Sequence, residues 1–176
     1  RDARSFKNLV GPNVLDAGCG EGITLEKLVH MHPDWSVEGL DVDPANVSIC
    51  KSLGLPVRHG SLYELPYKNA RFDSCLFMEV IEHLEYPEKA LGELARVTRQ
   101  GGVVAIVFPI DRTMYIARLI CMRFKEAVFD PGHLRQWNTR DLVTMLRSCG
   151  LDCVTTKSLP LPPPFALHKL VVARKT

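Results

Sequence analysis

Val14-Leu15-Asp16-Ala17-Gly18-Cys19-Gly20-Glu21-Gly22 is the stretch of sequence from which the fold can be inferred. The run Asn13-Val14-Leu15 predicts a buried strand, which breaks into a loop with glycine at every second position. From Ile23 onward the apolar residues recur with helical spacing, which predicts a helix. A strand, a glycine loop and a helix in this order suit a nucleotide-like ligand, because glycine has no Cβ and lets the ligand approach the backbone.

The spacing and the charge of this loop separate two classes of ligand. Dinucleotide-binding loops have the pattern Gly-x-Gly-x-x-Gly, and phosphate-binding P-loops end in Gly-Lys-Ser/Thr. Here the spacing is Gly18-x-Gly20-x-Gly22, no lysine follows, and Asp16 and Glu21 flank the loop. Carboxylates repel phosphate and attract a cationic ligand that carries an amine. The alternative is a glycine-rich turn that binds no ligand.

The composition indicates one globular domain over residues 1–176. The chain has 176 residues, 46% of them hydrophobic, which suffices for a core of ordinary size. A formal net charge of +2 gives no broad attraction to nucleic acid or to an anionic membrane. The six cysteines are scattered without a Cys-x-x-Cys pair, and no secretory or membrane-spanning segment is recognisable. We therefore expect reduced thiols and a cytoplasmic protein.

Predicted strands and helices alternate along the chain. Strands separated by helices predict an α/β protein with a doubly wound, parallel sheet and helices on both faces. The nearly all-apolar run 72–78 is typical of a strand that is buried on both faces. The sequence patterns place the remaining strands at 35–40, 55–59, 103–108, 151–156 and 169–173, and the helices at 23–32, at 44–53, from Pro87 to the Gln100-Gly101-Gly102 turn, and from an N-cap at Thr139 to Gly150.

An acidic residue follows the second predicted strand, where a ribose could be bound. Ligands of doubly wound sheets lie outside the carboxyl ends of the strands. Asp41 ends the second strand, about 20 residues beyond the glycine loop, and an acid at that place can accept hydrogen bonds from both ribose hydroxyls. The alternative is that Asp41 is a plain turn residue, with Asp43 capping the next helix.

The stretch 14–22 resembles motif I of the class I S-adenosylmethionine (SAM) dependent methyltransferases, apolar-apolar-Asp/Glu-x-Gly-x-Gly-x-Gly. The resemblance extends over roughly residues 12–151. Over this range the chain is similar to the branch of the family that contains quinone-biosynthesis O-methyltransferases. It implies SAM as cofactor, S-adenosylhomocysteine (SAH) as product, and a Rossmann-like sheet of seven strands whose last strand is antiparallel beside the fifth. The segments that carry it beyond motif I are Leu65-Pro66-Tyr67, Arg71-Phe72-Asp73, Glu79–Leu84, Gly101-Gly102, Gly132–Trp137 and Cys149-Gly150-Leu151.

The resemblance also implies which residues bind the cofactor. The family usually has an acid at the position of Ser61, which contacts the adenine amino group. Because this chain has serine there, we expect the backbone of Leu62, rather than the Ser61 side chain, to contact the adenine ring. The predicted cofactor-binding residues are Asp16, Gly18, Cys19, Gly20, Asp41, Val42, Ser61, Leu62 and Met78.

Candidates for catalysis follow the fourth predicted strand, beside the expected position of the transferable methyl group. If residues 79–83 are helical, the spacing places Glu79, Glu82 and His83 on one face. Metal-dependent relatives have a similar Glu-x-x-Glu-His pattern, so these three residues and His133 are weak candidates for binding a divalent cation, which would lower the pKa of an acceptor hydroxyl. We prefer a metal-free site in which Glu79, His83 and His133 are catalytic or line the acceptor pocket.

A probable insert at about 110–137 is longer than a usual connection. Residues 112–126 have the pattern of an amphipathic helix, and the insert follows a strand at the edge where the acceptor should lie. We expect a lid with an apolar lining, while the alternative is a surface helix packed on the sheet. Its basic face leaves weak contact with a membrane surface as an option.

The sequence therefore predicts a SAM-dependent methyltransferase that acts on a small molecule, such as an apolar hydroxyl compound. One alternative is a non-catalytic SAM-binding or scaffold protein that retains the fold. A further alternative, an RNA methyltransferase, fits less well with the near-neutral charge. Relatives often carry N-terminal helices over the acceptor pocket, whereas this chain starts about a dozen residues before motif I. We expect a more open pocket, or one that a partner or a missing segment covers.

Overall fold

The computed structural model describes residues 11–110, 137–159 and 167–176, in which strands and helices alternate. The bounds lie within a few residues of the predicted ones. The elements are β1 (Asn13–Ala17), α1 (Ile23–Met31), β2 (Ser36–Asp41), α2 (Pro44–Ser52), β3 (Val57–His59), β4 (Phe72–Met78), a 3₁₀ helix (Ile81–His83), α3 (Pro87–Val97), β5 (Thr98–Pro109), α4 (Thr139–Ser148), β6 (Leu151–Leu159) and β7 (His168–Lys175).

The seven strands of the described residues form one sheet in the order β3-β2-β1-β4-β5-β7-β6. The first five strands pair in parallel, and β7 is antiparallel to both β5 and β6. This arrangement confirms the predicted Rossmann-like, mostly parallel sheet with its last strand inserted beside the fifth. Strands β1 to β5 all end at the same edge of the sheet, which we call the carboxyl edge. Strand β7 begins at this edge, because its first residue, His168, pairs with Pro109 at the end of β5.

The sheet is covered on both faces, and alternate residues of its central strands enter two separate cores. On one face Leu15, Cys75 and Phe77 pack with α3 and α4. On the other face Val14 and Leu76 pack with α1 and α2. Every residue of β4 is buried, as predicted for a strand with helices on both sides.

Strand β5 begins earlier than the sequence pattern indicates. Helix α3 ends at Val97 rather than at the glycine pair, and the chain enters β5 at Thr98. The strand contains an irregularity, because Phe72 pairs with Thr98 whereas Ser74 pairs with Val103. Gly101 has a φ of 73° within this bulge, so the glycines permit the irregularity instead of ending the helix.

The sequence pattern predicts Thr139 as the N-cap of α4, but the N-cap in the structure is Asn138. The Asn138 side chain accepts a hydrogen bond from the Asp141 amide at 2.8 Å. Asp141 is the predicted acid in the first turn of this helix. Asparagine is at least as good a cap as threonine, so pattern alone does not separate two adjacent capping residues.

The cysteines of the described segments are free thiols, namely Cys19, Cys50, Cys75, Cys149 and Cys153. Within the same segments, no helix has both the length and the apolar character needed to cross a lipid bilayer.

Candidate functional site

The glycine loop after β1 adopts a conformation that requires glycine. Gly18, Gly20 and Gly22 have φ values of 75°, 54° and 85°, in the left-handed region that disfavours other residues. A Cβ at Gly18 would lie 2.7 Å from Val80 Cγ2, and one at Gly22 would lie 2.7 Å from Leu55 Cδ1. The outer glycines therefore allow the loop to pack closely against the protein.

The middle glycine faces open space. A Cβ built at Gly20 meets no heavy atom of the described residues within 4 Å. The Gly20 amide donates a hydrogen bond to Asp41 Oδ2 at 2.8 Å, and the Gly18 and Cys19 amides donate to the Leu40 carbonyl at 2.7 and 3.0 Å. The loop is thus fastened to the end of β2 and leaves room at Gly20 for a ligand to approach the backbone.

Asp41 connects the loop to the turn that follows β2. Its side chain is 8% exposed, and it accepts hydrogen bonds from the Gly20 amide, from the Asp43 amide at 2.9 Å and from Asn46 Nδ2 at 3.3 Å. Asp43 caps α2 through the Ala45 amide at 2.8 Å. Asp41 is therefore a turn residue and Asp43 is a helix cap, as the alternative interpretation has it. The Asp41 carboxylate can still accept further hydrogen bonds beside these three donors, so ribose binding stays a prediction.

Two acidic residues, Asp16 and Asp41, are buried beside the glycine loop. Asp16 is 2% exposed at the end of β1. Burial, followed chiefly by the neighbouring carboxylates Asp16 and Asp41, raises the pKa of the Cys19 thiol far above its ordinary value. A position at which two carboxylates oppose a further negative charge stabilises a cation.

The cysteines nearest the loop hold its backbone. The Cys50 thiol donates to the Gly20 carbonyl at 3.4 Å, and the Cys19 thiol donates to the same oxygen at 3.7 Å. Both side chains are buried, and burial raises the pKa of the Cys50 thiol. These cysteines are packing residues of the loop, with protonated thiols.

The segment after β3 begins beside Asp41. The Gly60 amide donates to the Asp41 carbonyl at 3.0 Å, and Ser61 Oγ accepts from the Tyr63 amide at 3.1 Å. The serine hydroxyl therefore serves its own turn, while the Leu62 side chain is buried in the core. Val42 projects into solvent with 65% of its surface exposed.

Met78 and Glu79 lie where β4 ends. Met78 is buried in the core on the α1 face. Glu79 has a φ of 57°, which is uncommon for a residue with a Cβ, and its amide donates to the Val107 carbonyl at 2.7 Å. Its side chain is partly exposed, and Oε1 lies 3.5 Å from His168 Nε2 at the start of β7.

The predicted common face of Glu79, Glu82 and His83 is wrong. The helix is a single 3₁₀ turn from Ile81 to His83, and Glu79 precedes it in a left-handed conformation. Glu82 is buried with 2% exposure, whereas the adjacent His83 is exposed. The i, i+3, i+4 rule holds only within an α-helix, so it does not place these three side chains on one face.

No group of three or more histidine, cysteine, aspartate or glutamate side chains within residues 11–110, 137–159 and 167–176 is arranged to hold a metal ion. Among these described residues, the weak metal candidates Glu79, Glu82 and His83 do not form such a group by themselves, and metal binding by them together with His133 stays a prediction. His133 lies outside the described residues, so its catalytic and metal-binding roles remain predictions.

The ends of the insert are attached at the carboxyl edge. Ile110 follows β5, and its amide donates to the Leu167 carbonyl at 2.8 Å. Trp137 Nε1 donates to the Ile81 carbonyl at 3.2 Å, beside the end of β4. Residues 111–136 themselves lie outside the described residues, and the lid remains a prediction.

Sequence analysis missed three polar residues at this edge. Asn46 contacts Asp41, His168 contacts Glu79, and His59 Nε2 donates to the Val42 carbonyl at 2.9 Å. His59 is the last residue of β3, and its place at the carboxyl edge could have been read from the pattern. His168 could have been found by combining the antiparallel final strand with the rule that such a strand begins at the carboxyl edge.

The chain matches the methyltransferase domain family over residues 15–106. A protein of Mycolicibacterium smegmatis named "Probable S-adenosylmethionine-dependent methyltransferase" is 32% identical over 148 residues, which are 83% of this chain and 54% of that protein. A ubiquinone biosynthesis O-methyltransferase of Rhizobium etli is 34% identical over 146 residues, which are 80% of this chain and 55% of that protein.

A solved structure has the same fold. The crystal structure of a SAM-dependent methyltransferase from Thermotoga maritima superimposes with a TM-score of 0.75 and 22% identity, covering 98% of this chain and 86% of that one. The chain spans about half the length of the curated relatives that it matches. The glycine loop, the sheet order and the family match agree, and the chain belongs to the methyltransferase domain family of class I SAM-dependent methyltransferases.

Proposed function

We propose that this protein transfers a methyl group from SAM to a small-molecule acceptor, and that the acceptor is an apolar hydroxyl compound. The observation that carries the proposal is the acidic glycine loop. Gly20 has an open face and donates its amide to Asp41, and buried Asp16 lies in β1 just before the loop. SAM is a nucleoside with a sulfonium and an ammonium group, so this combination of open backbone and carboxylates fits it. Phosphate-containing nucleotides would be repelled.

Named residues would hold the cofactor in this proposal. Asp41 would accept hydrogen bonds from the ribose, and Asp16 would attract the cationic amino-acid portion. Val42 is an exposed apolar side chain beside Asp41, which suits contact with an adenine ring. The remaining proposed contacts are the backbone at Gly18, Cys19, Gly20, Ser61 and Leu62, and the side chain of Met78.

The chemistry places few demands on the protein. Bound SAM would supply both the methyl group and a good leaving group, so the protein has to align the acceptor and exclude water. A hydroxyl acceptor also has to lose a proton. Glu79 and His168, whose side chains are 3.5 Å apart at the carboxyl edge, are the groups of the described residues best placed to hold that proton. His83 and His133 are further candidates.

One observation supports a hydroxyl acceptor, and another argues against an RNA acceptor. The names of the Rhizobium relatives refer to ubiquinone biosynthesis by O-methylation. The net charge of +2 offers no strong attraction to nucleic acid, which argues against an RNA substrate. We also propose that residues 1–176 act as one domain, since every described site residue belongs to one sheet or its loops.

The proposal is tested in two steps on the full chain. Calorimetry with SAM and SAH measures cofactor binding, and labelled SAM then reports methyl transfer to a panel of phenols, quinols and lipids. We expect binding of both compounds and transfer to a hydroxyl acceptor. Binding without transfer to any member of the panel would overturn the proposed acceptor class, and absence of binding would overturn the cofactor.

One observation favours a non-catalytic cofactor-binding or scaffold protein as second candidate. The Asp41 carboxylate is already hydrogen-bonded by three groups of the chain, so the loop keeps its shape through internal contacts. A scaffold would bind SAM and SAH equally and would leave the methyl group in place during prolonged incubation with every acceptor tested.

A further inference from the structure

An ion pair on α3, between Glu93 and Arg96, holds the loop between β3 and β4. Arg96 uses all five of its N–H groups. Nε and Nη2 donate to the two carboxylate oxygens of Glu93 at 2.7 Å each, and the other three bonds go to the Tyr67 carbonyl at 2.8 Å, the Leu65 carbonyl at 2.9 Å and Asn69 Oδ1 at 2.9 Å.

Both members of the pair contact the loop. Glu93 Oε2 accepts a hydrogen bond from the Leu65 amide at 2.7 Å, so Leu65 is held through its amide and its carbonyl. The Arg96 carbonyl accepts from the Ala70 amide at 3.0 Å. The hydrogen bond from Arg96 lowers the pKa of Glu93, and the hydrogen bond to Glu93 raises the pKa of Arg96. Charge-assisted, bidentate contacts of this kind fix geometry as well as contributing energy.

The loop that they hold begins beside the proposed ribose site. Gly60 is fastened to the Asp41 carbonyl, and β3 pairs with β2 up to His59. In the proposed function, a nucleoside whose ribose is held at Asp41 would present its base to Val42 and to the segment Gly60–Leu62. Between that segment and Leu65 the described backbone is supported by local contacts, namely the bridge from Ser61 to Glu64 and the hydrogen bond from the Tyr63 amide to Ser61 Oγ.

We infer that the Glu93–Arg96 pair is a positioning element for the base of the cofactor, because it sets where the backbone of Ser61 and Leu62 lies. This inference rests on the proposed function. Neither residue contacts the base in this account, since both act through Leu65, three residues beyond Leu62. The pair thereby determines how well the protein distinguishes adenine from other purines.

The test is calorimetry with SAH and with S-inosylhomocysteine, in which an oxygen replaces the adenine 6-amino group. In Arg96→Met we expect SAH affinity to fall by about tenfold and S-inosylhomocysteine affinity to change little, so that the ratio of the two affinities falls. Arg96→Lys should not restore the ratio, because lysine lacks the planar fork. If Arg96→Met does not fold, the milder variant Glu93→Gln replaces it, and the ratio of SAH affinity to S-inosylhomocysteine affinity should fall in that variant too.

Arg99→Met is the matched control. Arg99 pairs with Asp73 near the start of β4, at the edge opposite the site. This variant should lower the melting temperature and leave both affinities unchanged. If Arg96→Met and Glu93→Gln lower the melting temperature but keep the wild-type affinity ratio, the pair is structural only and the inference is overturned. If the wild type binds no SAH, the proposed function itself fails, and the inference fails with it.

Discussion

The Asp41 carboxylate joins three parts of the chain at the carboxyl edge of the sheet: the glycine loop, the turn after β2 and the first turn of α2. It does so through Gly20, Asp43 and Asn46, while remaining nearly buried. A buried carboxylate with several donors is well placed to bind the hydroxyls of a ribose, because its own position is fixed before the ligand arrives.

Replacing Asp41 by alanine should weaken SAH binding by about 1–3 kcal/mol, because the ribose would lose charge-assisted hydrogen bonds. Calorimetry measures the loss. Asp43→Ala is the control: it removes the cap of α2 and costs stability, yet it should leave SAH affinity nearly unchanged. Equal affinity in wild type and Asp41→Ala would contradict the ribose assignment.

Gly20 and Gly54 form a matched pair for testing the open face of the loop. Both have a positive φ, 54° and 71°, and a Cβ at either meets no described atom within 4 Å. Alanine at either should cost about 1–2 kcal/mol of unfolding free energy through backbone strain. Only Gly20→Ala should also weaken SAH binding, since only there would the methyl group enter ligand space. Similar SAH affinities in both variants would refute this.

The Glu79–His168 pair should matter for turnover rather than for cofactor binding. Glu79→Gln and His168→Gln should each lower kcat by about 10²–10⁴-fold on a hydroxyl acceptor, the range expected for loss of acid–base catalysis, and leave SAH affinity unchanged. Glu88→Gln, at an exposed position, serves as control. Wild-type kcat in both variants would remove the pair from the mechanism.

At the scale of elements, the sequence predicts best the strands and helices that have strong local signals. β4 has the predicted bounds, and α2 begins at Pro44 as expected. The features that the sequence does not predict are those with irregular backbone. A glycine pair is compatible with a helix end or with a bulge, and the pairing with β4 decides between them in β5. The left-handed turn at Glu79 has no sequence signal, because glutamate rarely adopts it.

The amino ends of β1 and β4 are joined to the bulge of β5 through Asp73. Burial acts to raise the pKa of this carboxyl, but hydrogen bonds from the Asn13 amide, Arg99 and the Asn13 side chain outweigh it, so the pKa lies below the ordinary 3.8. A depressed pKa stabilises the fold above the unfolded-state value, and this contribution is lost as the pH falls through the folded value.

Asp73→Asn should therefore be less stable than wild type at neutral pH, and the difference should shrink as the pH falls below about 4. Urea unfolding at pH 7 and pH 3 measures it. A difference that stays constant over this range would show that the charge of Asp73 contributes nothing.

At the scale of the whole molecule, the alternation of strands and helices predicts a parallel sheet, while the place of β7 came from the resemblance to the methyltransferases. The sheet order then brings Asp16, Asp41 and Glu79 to one edge from three different strands. The contact of Glu79 with His168 depends on long-range strand pairing and has no local sequence pattern. The glycine loop and Asp41, by contrast, follow recognisable local patterns, so the sequence offers more candidates for cofactor binding than for acceptor binding.

The central claim is that an acidic glycine loop selects a cationic nucleoside over phosphate-bearing ones. Calorimetric titration of the full chain with SAM, SAH, ATP and NAD⁺ under identical buffer conditions tests it most directly. The account predicts one-to-one binding of SAM and SAH and no detectable heat with ATP or NAD⁺. If the folded protein bound ATP or NAD⁺ but did not bind SAM, the claim would be contradicted.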